Sequence, residues 1–145
     1  MRAGEVMTTK LVTIDQESTV QDAAILMTQR DIGSVVVVNN NSAICGILTE
    51  KDFVKKVLNK GLRSENTLVR DVMTSELITI DESTDISEAV HIMEEHNIRR
   101  LLVTVKGKIK GIVTSKYLLK TLRYDLAQNL ADETYRREYV LREMF

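Results

Sequence analysis

The chain has 145 residues, 43% hydrophobic and 28% charged, with a net charge of −1. That length holds one compact domain or two small halves sharing a core, and the composition excludes a chain too polar to fold. The near-neutral charge removes the simplest argument for a nucleic-acid protein, no apolar run approaches a transmembrane helix, and a lone Cys45 excludes an internal disulfide or a Cys-rich zinc site.

In chain order, the opening residues MRAGEVMTTK lack the apolar core of a signal peptide, so a cytoplasmic protein is expected. Leu11–Ile14 is a short β-rich run. A helix is predicted to start at Thr19 with Asp22 at the capping-box position, and Val20, Ala23, Ala24 and Met27 give it a core-facing stripe. Two strands, Ser34–Val38 and Ala43–Leu48, flank a turn at Asn39 to Ser42. A helix follows from about Glu50 to Asn59 and ends at Gly61. Leu77–Ile80 is again β-rich. Asp85 and Glu88 mark another helix start, with Ile86, Ala89, Val90 and Met93 as its stripe. Strands at Arg100–Val105 and Lys108–Val113 enclose a turn with Gly107, and a last helix starts near Ser115.

The second half repeats the first. Val6 to Asn39 set against Val72 to Val105 gives 11 identities in 34 positions at an offset of 66. After a one-residue deletion, Gly46-Ile47-Leu48-Thr49 falls on Gly111-Ile112-Val113-Thr114 at an offset of 65. Two copies are too few for a solenoid, so two pseudosymmetric halves packed face to face are expected. The boundaries are repeat 1 at 1–60, a linker at 61–66, repeat 2 at 67–123 and a helical extension at 124–145.

The repeated V-M-T, the L-V-T-I-D strand, the T-V-Q-D-A-A helix start and the G-I-L-T-E-K-D turn resemble the CBS domain, and two in tandem resemble a Bateman module. The resemblance covers roughly residues 1–123. It implies an α+β (mixed α/β) fold of two β-α-β-β-α repeats. It also implies a regulatory module that binds an adenosine-containing ligand between its halves and acts on a partner protein. AMP, ADP and ATP are the implied ligands, and an S-adenosylmethionine-type ligand fits as well. No cofactor is required.

Thr49-Glu50-Lys51-Asp52 is the most informative tetrapeptide. On its own it reads as a capping box, Thr49 at N-cap and Asp52 at N3. The resemblance adds a second role, since a Thr-x-x-Asp here is the family's ribose-binding motif. The second copy has Thr114-Ser115-Lys116-Tyr117, and a phenol cannot replace a bidentate carboxylate. The two sites are therefore expected to be unequal.

Cations gather in the second copy. Asn97 to Tyr124 contains no Asp or Glu and holds Arg99, Arg100, Lys106, Lys108, Lys110, Lys116, Lys120 and Arg123. The three lysines around the turn read as a solvated face. Arg99 and Arg100 stand where the first copy has Gly33 and Ser34, and the resemblance implies that they, with Lys116, reach phosphate. It also implies a base pocket around Glu76, Leu77 and Ile78, with Leu48 and Ile47 as neighbours.

Nothing argues for catalysis. His91 and His96 are five apart and share no helix face, and Cys45 reads as a buried structural thiol. Leu118, Leu119, Leu122, Leu126 and Leu130 recur at helical spacing, followed by Tyr135, Tyr139, Val140, Leu141 and Phe145. Apolar residues this late predict a homodimer contact. Two other functions stay open: a nucleic-acid protein using the basic stretch 97–124, and a scaffold or dimerisation subunit that binds no ligand. The first is disfavoured by the scarcity of aromatic residues, 4% of the chain.

Overall fold

The computed structural model describes the backbone of residues 1–144 and the side chains of 1–124 and 126–131. Tyr135, Tyr139, Val140, Leu141 and Phe145 of the expected dimer contact lie outside the described side chains.

A short helix α1 (Ala3–Val6) precedes β1 (Thr13–Asp15), α2 (Val20–Arg30), β2 (Ser34–Val38) and β3 (Ile44–Thr49). Helix α3 (Glu50–Asp52) then runs directly into a π-helical stretch, Phe53–Leu58. After a 3-10 turn at Ser64–Asn66, the order recurs as α4 (Val69–Val72), β4 (Thr79–Asp81), α5 (Ile86–His96), β5 (Arg100–Val105) and β6 (Lys108–Thr114). Helix α6 (Ser115–Met144) is the last element among the described residues.

Each repeat contains one three-stranded sheet, ordered β1-β2-β3 and β4-β5-β6. The first pair in each is parallel and the second antiparallel. Parallel neighbours need a crossover of a dozen or more residues, which α2 and α5 supply, whereas antiparallel neighbours need only a hairpin. The one-residue deletion falls in that hairpin. The first copy closes it with Asn39, whose Oδ1 accepts from Asn41 N at 2.9 Å and Ala43 N at 3.1 Å. The second uses Lys106-Gly107, both at positive φ (52° and 77°), as a two-residue primed turn requires.

Helix α2 starts as its sequence predicts: Thr19 Oγ1 accepts from Asp22 N at 3.1 Å, and Asp22 Oδ2 accepts from Thr19 N at 3.4 Å. Helix α5 differs. Asp85 caps it by accepting from Ser87 N at 2.9 Å and Ser87 Oγ at 2.7 Å, with Glu88 outside that exchange. Val90 is exposed rather than core-facing, and Ile92 packs on the core in its place. Cys45 is only half-buried, its Sγ 3.5 Å from both Gln16 Oε1 and Val37 O; burial still pushes the thiol pKa up.

The cores are cut differently from the sequence repeats. Ala3 and Val6 of α1 pack with Ile80, Leu101, Val103 and Val113 of the second half. Val69 and Val72 of α4 pack with Val20, Val35, Val37 and Leu48 of the first. Each V-M-T segment thus closes the other repeat's sheet. Thr8 bridges Ile112 and Thr74 bridges Ile47. Met73 lies over Gly46 and Met7 over Gly111, where any Cβ would meet the sulfur. This exchange ties the halves together and delivers residues 74–78 to the edge of the first repeat.

Candidate functional site

A cleft of about 600 Å³ opens between the halves. One wall is the β3–α3 junction. β3 is extended to Thr49, whose φ of −120° and ψ of 163° are still strand-like, and the chain then turns into helix at Glu50. Thr49 N donates to Asp52 Oδ2 at 2.9 Å, so the carboxylate caps the helix it belongs to. Asp52 is 5% exposed, which is unusual for an unpaired carboxylate but not for this one. Its Oδ2 also accepts from Thr49 Oγ1 at 3.3 Å, and its Oδ1 accepts from Thr74 Oγ1 at 3.3 Å. Lys56, one turn on, completes the set with Nζ 2.9 Å from Oδ1.

Thr74 belongs to the second wall. Its N–H donates to Ile47 O at 2.9 Å and its O accepts from Ile47 N at 3.0 Å, fixing the segment against β3. Glu76, Leu77 and Ile78 continue from there along the cleft. The third wall is the entry to β5. Asn97 ends α5 in the left-handed conformation at φ 51°, and this turns Ile98, Arg99 and Arg100 towards the first repeat. Arg100 is half-buried, its Nη2 against Gly33 and close to Glu50. Burial draws its pKa below the ordinary guanidinium value, and the Glu50 carboxylate opposes that shift. An arginine so placed still carries its charge at neutral pH.

The structure therefore brings Thr49, Asp52, Arg99, Arg100, Glu76, Leu77 and Ile78 to one cleft. Two candidates fall elsewhere. Leu48 is fully buried in the first repeat's core, because side chains alternate along β3; its neighbour Ile47 faces the cleft. Lys116 is exposed on the first turn of α6 and lines no part of this cleft; Lys51, its counterpart one repeat earlier, does. At the matching place in the second half, Tyr117 N donates to Thr114 Oγ1 at 3.2 Å, and the phenol stands exposed where Asp52 is buried.

Sequence reasoning missed Lys51, Lys55 and Lys56. The signal was present: the lysines sit beside Asp52 on the same helix, and Lys56 is four residues beyond it, the spacing of a helical ion pair. With Arg99 and Arg100 they give the cleft five cations against Glu50, Asp52 and Glu76. Chemically, this is a helix N-terminus and a cationic rim beside an apolar floor of Ile47, Leu77, Ile78 and Leu102. Chemistry of this kind is compatible with a partly apolar, partly anionic small molecule.

The fold is a tandem pair of β-α-β-β-α units with a cleft between them. The CBS-domain family model matches residues 3–59 and 69–124, and the chain belongs to that family. A protein of Methanopyrus kandleri is 38% identical over 125 residues, which are 86% of this chain and 64% of that one. The chain thus spans just under two thirds of that relative. A solved Pyrococcus horikoshii protein superposes with a TM-score of 0.80 at 35% identity, covering 84% of this chain and 92% of that one. A solved CBS-domain protein of Burkholderia ambifaria, described as a signal-transduction protein, gives a TM-score of 0.77 at 32% identity, covering 81% and 85%. Tandem CBS domains are typically regulatory and often bind ligands. Among the described residues, no helix is long and apolar enough to cross a membrane.

Proposed function

We propose that the protein is a sensor module that binds an adenosine-containing ligand in the cleft and passes the binding event to a partner protein. The observation that carries this reading is the convergence on one cleft of a buried carboxylate at a helix N-terminus, Asp52, with Arg99 and Arg100 from the opposite repeat. Asp52 suits two ribose hydroxyls, because an ionised carboxylate offers about four acceptor positions. The arginines and Lys51 suit phosphate, and arginine binds it through a planar fork. Ile47, Leu77 and Ile78 suit the face of a base. AMP, ADP and ATP all satisfy this chemistry; an S-adenosylmethionine-type ligand would use the ribose and base positions without the arginines.

Because ribose, phosphate and base contacts come from both halves, occupancy favours one relative placement of the halves. A ligand that binds one placement more tightly shifts the population towards it, which is the signal a partner can read. The Asp52 and Tyr117 sites are unequal, so one tight site per chain is expected. The exposed Leu119, Leu122 and Leu126 of α6 favour self-association into a homodimer.

Calorimetric titration with adenosine, AMP, ADP and GMP tests the reading. Saturable binding of adenosine compounds near one site per chain, with GMP weaker, is the expected result. Flat titrations with every adenosine compound would replace it with a ligand-free scaffold. Salt-steep RNA or DNA binding would replace it with nucleic-acid recognition.

A further inference from the structure

Asp52 is the residue on which the ribose reading depends, yet its acceptor positions are already taken. Oδ2 accepts from Thr49 N and Thr49 Oγ1, and Oδ1 accepts from Lys56 Nζ and Thr74 Oγ1. Three of these donors are held by short links to fixed backbone: Thr49 is the N-cap itself, and Thr74 is pinned to Ile47 on both sides. Lys56 is the exception. It reaches Asp52 through a flexible four-carbon stem, it lines the cleft, and its side chain is 36% exposed against 7% for Asp52.

We infer that Lys56 is the gate of the ribose position: its ammonium holds Asp52 Oδ1, and a ribose hydroxyl must displace it to reach that oxygen. The inference rests on the reading of the cleft as an adenosine site and adds a determinant of its selectivity. Lys56 Nζ also donates to Val72 O, the last residue of α4, at 3.0 Å, and lies 3.5 Å from Thr74 Oγ1. Displacement therefore does two things. It frees a cation beside the phosphate-facing rim, and it releases a tie between the π-helical stretch and α4. A ligand without ribose hydroxyls has nothing to offer Asp52 and leaves the gate shut.

The test compares wild type with Lys56→Met, which keeps the stem and removes the charge. Lys56→Gln serves as a second variant in case the first folds poorly. Adenosine and 2′,3′-dideoxyadenosine are titrated into each. The two probes share the base and differ in the hydroxyls. Removing one charge-assisted competitor should tighten adenosine binding about five- to thirtyfold in both variants. Dideoxyadenosine should change less than about twofold, since it never displaces Lys56. Adenosine affinity that is unchanged or weaker in both variants, with wild-type binding intact, overturns the gate and leaves the adenosine reading standing. Equal gains for the two probes also overturn it, because Lys56 would then act on the cleft as a whole rather than at Asp52. If neither wild type nor either variant binds adenosine, the adenosine reading fails and the gate falls with it.

Discussion

Arg100, in the second repeat, lays its guanidinium against Gly33 in the first, in space that any Cβ would take. The two are linked by the pseudosymmetry as well. Gly33 occupies in repeat 1 the place that Arg99 occupies in repeat 2, so the arginine-bearing copy reaches into a gap left by the copy without one. Gly33 is not at positive φ, so alanine is compatible with its backbone.

Gly33→Ala should therefore displace the Arg100 side chain without unfolding the protein. Its flexible end can move, whereas the nearest Glu50 atom, 3.4 Å from the new Cβ, needs little adjustment. AMP binding should weaken by roughly five- to tenfold and adenosine binding by less than about twofold, as the loss of one partly exposed charged contact implies. Calorimetry with both ligands, beside a thermal melt, checks it. Equal losses for both ligands would place Arg100 outside the phosphate position.

Gly46 and Gly111 carry a different constraint. A Cβ on Gly46 would sit 3.1 Å from Thr74 O, and one on Gly111 would sit 3.1 Å from Thr8 O. Both oxygens belong to backbone held in a two-bond bridge with the next residue of the strand. Met73 and Met7 can swing aside; the bridges cannot. Gly46→Ala and Gly111→Ala should each cost about 1–3 kcal/mol, the range for overpacking a fixed contact. Urea midpoints measure it. A loss below about 0.5 kcal/mol in both would show that the exchanged segments adjust freely.

How much of this was readable in sequence follows from what each signal depends on. Strand and helix order was legible because it rests on local periodicity and appears twice. Thr49 and Asp52 were legible because a capping box is a local pattern. Arg99 and Arg100 stood out only because the copies could be compared. The exchange of α1 and α4 between cores was not legible: both V-M-T segments are nearly identical, and nothing local says which sheet each closes. Lys116 was singled out by the family resemblance alone, and nothing local says that Lys51, at the same place in the copy that holds Asp52, is the one that lines the cleft. Leu48 and Ile47 differ only in which face of β3 they use, and a run of apolar residues does not declare its faces.

Acid should destabilise the protein in part through the β4–α5 connection. Ser83 Oγ and N donate to Asp81, and Ser87 Oγ and N donate to Asp85; these bonds hold both carboxyl pKa values below the ordinary range. A depressed folded-state pKa contributes stability that is complete above the unfolded value, about 3.9 for aspartate, and is lost as pH falls through the folded value. The thermal midpoint should therefore be insensitive to these groups near neutrality and drop below about pH 4. Asp81→Asn with Asp85→Asn should give a smaller drop over that window than wild type. An identical pH profile would show that these bonds contribute nothing measurable.

Truncation after Asp125 removes Leu126 and Leu130 with the rest of α6. If the helix serves self-association, the shortened chain should have a lower mass in solution by light scattering and a melting point that no longer rises with protein concentration. An unchanged mass would discard the dimer role of this segment.

Asp52 and the arginines should divide the ligand between them. Asp52→Ala removes the acceptor for neutral hydroxyls, so adenosine and AMP should lose affinity alike, about ten- to hundredfold, because both carry the ribose. Arg99→Ala or Arg100→Ala should weaken AMP and leave adenosine nearly unchanged, because only AMP presents an anion. Added salt should shrink the arginine contribution, since Arg99 is exposed, and affect the Asp52 contribution less, since its ligand partner is uncharged. One effect must be separated out. Asp52 also caps α3 and pairs with Lys56, so Asp52→Ala lowers the stability of the unliganded protein. The cap alone is worth about 1 kcal/mol, and the freed Lys56 ammonium adds a further penalty. Asp52→Asn limits this, because the amide oxygen can still accept from Thr49 N while the charge is gone. If Asp52→Asn melts close to wild type and still loses adenosine and AMP equally, the loss belongs to the ribose position. If adenosine binds both Asp52 variants as it binds wild type, the carboxylate only builds the helix start, and the ribose must be held elsewhere in the cleft.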